Sequence, residues 1–225
     1  REGRATSNGL IAAKSEGNTS VMLELNCETD FVAKGERFQA VASELLEHLF
    51  ASKQSDLAAF LSSKLATGKA VQEVIDEANA TMGEKVELRR LAVIQGSPNA
   101  QYLHRTSPDL PPQVGVLVAL TKDDAVVGKD IAQHIAAFAP QYLDRASVPT
   151  DVLEHERKVA EETAKNEGKP EAAIAKITEG RVTGFIKEVA LLEQAFAKDQ
   201  KKSVATILTE AQNSVSAFYR FRVGQ

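Results

Sequence analysis

The sequence predicts an α+β protein of two homologous half-domains, each a small antiparallel sheet packed with helices, plus a projecting antiparallel helical hairpin, a coiled coil, in the second half. Three observations predict it. Early in the chain the apolar period changes: Val21, Leu23, Leu25 and Cys27 alternate with Met22, Glu24, Asn26 and Glu28, as in a half-buried strand, whereas Phe38, Val41, Ala42, Leu45 and Leu49 share one helical face. The plan then returns, with Val116-Leu117-Val118-Ala119-Leu120 followed by an acidic turn at Lys122-Asp123-Asp124 and a helical face of Ile131, Ile135 and Phe138. Between residues 151 and 196 the composition turns to Ala, Glu and Lys, broken only at Glu167-Gly168-Lys169-Pro170, where Gly ends one helix and Pro starts the next. The halves are set at 1–98 and 99–225, with the hairpin inserted at about 151–196.

In chain order, residues 10–14 and 21–27 form a hairpin turned by Glu16-Gly17-Asn18. Thr29 and Asp30 then fall where the strand ends, which sets Phe31 in a connector on or near the surface. A helix over 36–52 follows. Ser55 or Asp56 caps a second helix carrying Leu57, Phe60, Leu61 and Leu65, and Thr67-Gly68 breaks it. A third helix presents Val71, Val74, Ile75 and Ala78, stops near Gly83, and leads into a strand over 86–94 with Arg89-Arg90 in its middle. Late in the chain, Val204, Ile207, Leu208 and Ala211 echo Val71, Val74, Ile75 and Ala78, and Tyr219-Arg220-Phe221 echoes Arg89-Arg90-Leu91. The hairpin arms carry a thin seam of Val152, Val159, Ile174, Ile177, Phe185 and Val189, enough for one partner helix.

At 225 residues, 43% apolar and 26% charged, the chain has the composition of an ordinary globular protein. Its net charge of −4 argues against a surface devoted to nucleic acid, so protein partners are expected. Cys27, the one cysteine, excludes an intrachain disulfide and suits a reducing compartment. No signal-peptide pattern opens the sequence, and its most apolar stretch, residues 114–120, is too short to cross a bilayer, so no membrane role and a cytoplasmic location are expected.

Chemistry is sparse. The four histidines, His48, His104, His134 and His155, stand in no metal-ligand spacing with one another or with Cys27. Thr67-Gly68-Lys69-Ala70 lacks the upstream glycine and following Ser or Thr of a phosphate loop, and no Gly-x-Ser-x-Gly elbow occurs. Asp30 has no acid or nucleophile paired with it in sequence. The chain therefore reads as a binding protein without cofactor or metal rather than an enzyme. From three residues, Thr29-Asp30-Phe31 reads as a capped turn whose Phe tucks into the nearest core.

The longer string Asn26-Cys27-Glu28-Thr29-Asp30-Phe31-Val32-Ala33-Lys34 closely resembles the signature loop of the elongation factor Ts family. Further matches follow in order: Tyr102-x-His104, Val114-Gly115-Val116-Leu117-Val118, Asp130-Ile131-Ala132 through His134-Ile135-Ala136-Ala137, Gly168-Lys169-Pro170, Glu179-Gly180-Arg181 and Phe221-x-Val223-Gly224. The family also has a leading helical module that contacts its partner, and no match to it stands ahead of Arg1. Pro108, Pro111, Pro112 and Gln113 replace the glycines and arginine usual in the family before Val114.

The resemblance implies a guanine-nucleotide exchange factor for the GTPase elongation factor Tu, with Thr29, Asp30, Phe31 and Val32 as the contact that disturbs the partner's Mg²⁺ site and His104 as a contact to another domain of the GTPase. His134, at the place Val41 takes in the first half, is a core or interface position. Arg89 and Arg90 suit either partner contact or a solvated strand face, and assembly with further copies of the chain is left open. Two rival readings compete. A non-catalytic assembly scaffold requires Phe31 to be buried in its own fold, and an enzyme built on Asp30 requires an enclosed pocket with a second titratable group.

Overall fold

A computed structural model describes residues 2–225. In order, the elements are β1 (Asn8–Glu16), β2 (Thr19–Cys27), α1 (Asp30–Ala33), α2 (Glu36–Ser52), α3 (Leu57–Ser62), α4 (Val71–Met82), β3 (Glu87–Ile94), β4 (Asn99–His104), β5 (Val114–Leu120) and α5 (Ala125–Phe138). Then come α6 (Thr150–Asn166), α7 (Glu171–Val189), β6 (Ala195–Phe196), β7 (Asp199–Ser203), α8 (Val204–Glu210) and β8 (Val215–Arg222). The α+β class is as expected. By internal contacts the chain divides into two units, one of residues up to Ala136 together with Ser214–Gln225, the other Ala137–Asn213.

The first unit holds two antiparallel sheets with the same layout, β1-β2-β3 and β4-β5-β8, each a hairpin whose second strand is flanked by a strand that returns after helices. Leu10, Val21, Leu23, Leu25 and Cys27 face the helical layer, where Phe38, Ala42, Leu45 and Leu49 of α2 and Val71, Val74 and Ile75 of α4 complete one core. The opposite face of that sheet, through Ile11, Met22, Ala92 and Ile94, packs on Leu117, Ala119 and Phe221 of the second sheet. Strand β2, expected to be half-buried, is therefore buried on both faces, because its polar-looking side is covered by a second sheet rather than by water. Glycine is required at 115 for this approach: a Cβ there would meet the Ile11 side chain and lie 2.7 Å from Met22 Sδ. Gly128 does the same for α5, since a Cβ would come within 2.8 Å of Ala100 Cβ and 3.0 Å of Leu120 Cδ1. His134 is fully buried on that helix, the core option of its two.

Arg90 departs from the solvated-face option. Its Nε lies 2.6 Å from the carboxylate of fully buried Glu24, Nη2 donates to the carbonyls of Arg222 and Gln225 at 3.0 Å each, and the guanidinium stacks 4.5 Å from the Phe221 ring. Gly224 N–H donates to the other Glu24 oxygen at 3.1 Å.

In the second unit α6 and α7 form the expected hairpin, with Gly168 in the left-handed region (φ +71°) and Lys169 N–H closing the turn on Ala164 O at 3.1 Å. Its seam differs from expectation on α6: Ala160 and Ala164 are buried while Val159 is 43% exposed. On α7 the buried positions are Thr178, Val182, Ile186 and Val189. The helices stop at Val189, short of residue 196, and the chain continues into a two-stranded ribbon, β6-β7, that no periodicity announced. Ser203 Oγ then caps α8, accepting Thr206 N–H at 3.1 Å.

Candidate partner-binding site

Strand β2 ends at Cys27, and its last side chain points into the helical core, where burial, reinforced by the nearby Glu84 carboxylate, pushes the thiol up to about 12. Such a thiol stays protonated and inert. Asn8 Nδ2 donates to Glu28 O at 2.8 Å, holding the chain as it leaves the sheet.

Thr29 is extended (φ −124°, ψ 155°) and caps a helix of one turn, accepting Val32 N–H on Oγ1 at 3.3 Å. The turn is closed by Ala33 N–H to Thr29 O (3.3 Å), Lys34 N–H to Asp30 O (2.9 Å) and Gly35 N–H to Val32 O (3.0 Å). The connector of the sequence reading is thus an ordered helical turn. From α2, Gln39 Nε2 donates to the carbonyls of Ala33 and Lys34, both at 3.3 Å, satisfying acceptors at its far end.

The turn sorts its side chains by depth. Ala33 is fully buried, Val32 packs partly buried on the helical core, and Phe31 points away at 82% exposure. Asp30 is exposed too, its carboxylate 3.3 Å from Lys34 Nζ. Phe31, Val32, Gly35, Phe38, Thr81 and Met82, with Lys34, Glu36 and Arg37, line an open groove of about 590 Å³. Asp30 is not among the groove's lining residues. The exposure of Phe31 removes the requirement of the scaffold reading.

Thr29, Asp30, Phe31 and Val32 are brought together on one turn, whereas His104 stands elsewhere, exposed at the end of β4. Its Nδ1 lies 2.9 Å from the Tyr102 hydroxyl, two residues back on the same strand face, and its carbonyl accepts Gln113 N–H at 2.8 Å. Gln113 donates from Nε2 to Gly9 O (2.8 Å) and Pro111 O (3.0 Å), tying the proline-rich loop to β1.

Glu84 was missed by sequence reasoning. It follows Gly83, whose positive φ of 72° ends α4, and its carboxylate accepts the Glu28 and Thr29 N–H groups (3.0 and 3.1 Å) and the Thr29 hydroxyl (2.6 Å). No local pattern links residues this far apart.

Among the described residues no group of three or more His, Cys, Asp or Glu side chains is arranged to hold a metal ion, and no helix is long and apolar enough to cross a membrane.

A model of the family described as Elongation factor TS matches residues 28–225. Proteins named elongation factor Ts are similar along the whole chain: that of Streptomyces griseus is 56% identical over 226 residues, covering 100% of this chain and 81% of the relative. Those of Acidothermus cellulolyticus and Thermobifida fusca are 53% and 52% identical with the same coverage. With the signature turn in place and identity running through both sheets and the hairpin, the chain belongs to the elongation factor Ts family of translation elongation factors.

Proposed function

We propose that the chain is a guanine-nucleotide exchange factor for the GTPase elongation factor Tu, acting in the cytoplasm by binding and not as an enzyme. The observation that carries this reading is Phe31, 82% exposed on a turn fixed at both ends. An aromatic side chain left in water forgoes about 1.5–3 kcal/mol of burial, which association with a partner recovers. Asp30 beside it supplies a carboxylate for a hydrogen bond at the edge of the same contact. A GTPase grips its nucleotide through phosphate-cradling backbone and Mg²⁺, so a wedge of Asp30 and Phe31 that displaces the ion weakens that grip. By reciprocity, a factor that prefers the nucleotide-free GTPase loosens the nucleotide by the same ratio. Thr29 and Val32 set the wedge, and His104 makes a second contact to another domain of the partner.

The shared strand layout of the two sheets supports reading the chain as a duplication, with halves at 1–98 and 99–225 and the hairpin, 151–196, inserted in the second. The test of function is release of labelled GDP from elongation factor Tu. Native chain should accelerate it, and Phe31→Ala should fold normally, with stability within about 0.5 kcal/mol of native, yet lose most of the acceleration. Unchanged release by that variant would remove Phe31 from the mechanism.

A further inference from the structure

We propose that Glu84 is a positioning residue for nucleotide exchange, holding the Thr29–Lys34 turn in the pose that presents Asp30 and Phe31; this rests on the exchange reading above. A single helical turn is not stable alone, since nucleation fixes several residues for very few hydrogen bonds. Helix α1 has four residues, so its order must come from outside itself.

Glu84 supplies that order at the entry to the turn. One carboxylate oxygen accepts both the Glu28 and the Thr29 N–H, which fixes the chain direction just before the helix. The other accepts the Thr29 hydroxyl proton at 2.6 Å. With its proton committed there, the hydroxyl turns a lone pair toward Val32 N–H, the capping bond of the turn. Charge-assisted bonds of this kind are the strong ones. The grip is reciprocal, because Lys85 N–H donates to Glu28 Oε1 at 2.7 Å. Two chain segments, 28–29 and 84–85, therefore hold each other by side chain to backbone in both directions. The pose of Phe31 is in this way slaved to the corner between α4 and β3.

A positioning residue has a kinetic signature distinct from a contact residue. Where the binding-competent pose is only partly populated, apparent affinity falls by that fraction, while the rate at saturation is kept. Glu84→Ala should therefore raise the concentration of chain giving half-maximal GDP release by about tenfold, as expected from losing charge-assisted hydrogen bonds, with the limiting rate near native. Phe31→Ala, which removes the wedge itself, should lower the limiting rate as well as the affinity. Amide hydrogen exchange, read by NMR without any partner, should accelerate about tenfold at Val32, Ala33 and Lys34 in Glu84→Ala while β2 and α2 amides hold. Glu84→Gln, which keeps an acceptor, should fall between and serves if the alanine variant does not fold. Unchanged amide exchange in the turn overturns the proposal. So does a half-maximal concentration that stays at the native value while Phe31→Ala is impaired. If Phe31→Ala releases GDP like native, the exchange reading fails and the role of Glu84 in exchange falls with it.

Discussion

Arg90→Ala is a substitution that the packing of single residues marks as costly. Glu24 sits fully buried, and Arg90 neutralises it at 2.6 Å while also satisfying two backbone carbonyls and covering Phe221. Removing one partner of a buried ion pair leaves an uncompensated charge, so the variant should lose about 3 kcal/mol in chemical denaturation. Glu24→Gln in the same background should recover part of this, since a neutral amide is cheaper to bury; no recovery would mean that the loss comes from the carbonyls and the ring. At this scale the sequence offered two readings of Phe31, a surface connector outside both apolar patterns and a turn whose Phe tucks into the core, and the exposed side chain follows the first. It was silent about Glu24 and Glu84. Charged residues read as solvated until a partner from far along the chain is known, and alternation cannot reveal that a second sheet covers the polar face.

The hairpin shows the same limit for an element. Large aliphatic residues drew the expected seam to Val152 and Val159, but the face of α6 that closes on α7 carries Ala160 and Ala164, because helices approach closely only where side chains are small. The pairs Arg157–Glu179 at 2.8 Å and Arg181–Glu167 at 2.8 Å join the two arms but are exposed, and pairs of that kind contribute little. Packing of the alanines must then hold the arms together. Ala164→Leu should cost about 1–3 kcal/mol by overpacking, seen as faster amide exchange along α6 and α7 while the amides of β2 and β5 keep their protection. Loss of protection in those strands instead would show that the hairpin does not unfold as a separate unit. Helix α2 was legible, running over Glu36–Ser52 as its period required, and Asp56 and Gly83 cap where their chemistry allows; α3, expected to carry Leu65, ends at Ser62, and the turn α1 was read as a connector. The ribbon β6-β7 was not legible, because strands of two and five residues are too short to show a period.

For the whole molecule, the proposed mechanism makes Mg²⁺ and the chain two routes to one effect. Chelating the ion should already speed GDP loss from elongation factor Tu, so the further acceleration by the chain should shrink as Mg²⁺ is withdrawn. The variant with Asp30→Ala and Phe31→Ala should lose mainly the Mg²⁺-dependent part and keep what His104 contributes. GDP release across a Mg²⁺ titration checks this; equal fold-acceleration at every concentration would move the action to the base or ribose side of the nucleotide pocket. The strands at Val21–Cys27 and Val116–Leu120 were legible, each followed by an acidic turn and a helix, but the packing of one sheet on the other was not, since alternation gives each strand two faces without saying what covers them. That packing bears on how the protein is made. The helical layer and its sheet draw only on residues 8–94, so they can fold early as the nascent chain leaves the ribosome. Strand β5 waits for β8, which follows the entire second unit, and so do Glu24 and Arg90, whose remaining partners lie at 222–225. During that interval Ile11, Met22, Ala92 and Ile94 lack their Phe221 cover. Exposed apolar surface beside an unpaired strand edge is what chaperones bind, so ribosomes stalled before Val215 should carry a chaperone client, and those stalled well past Gln225 should not.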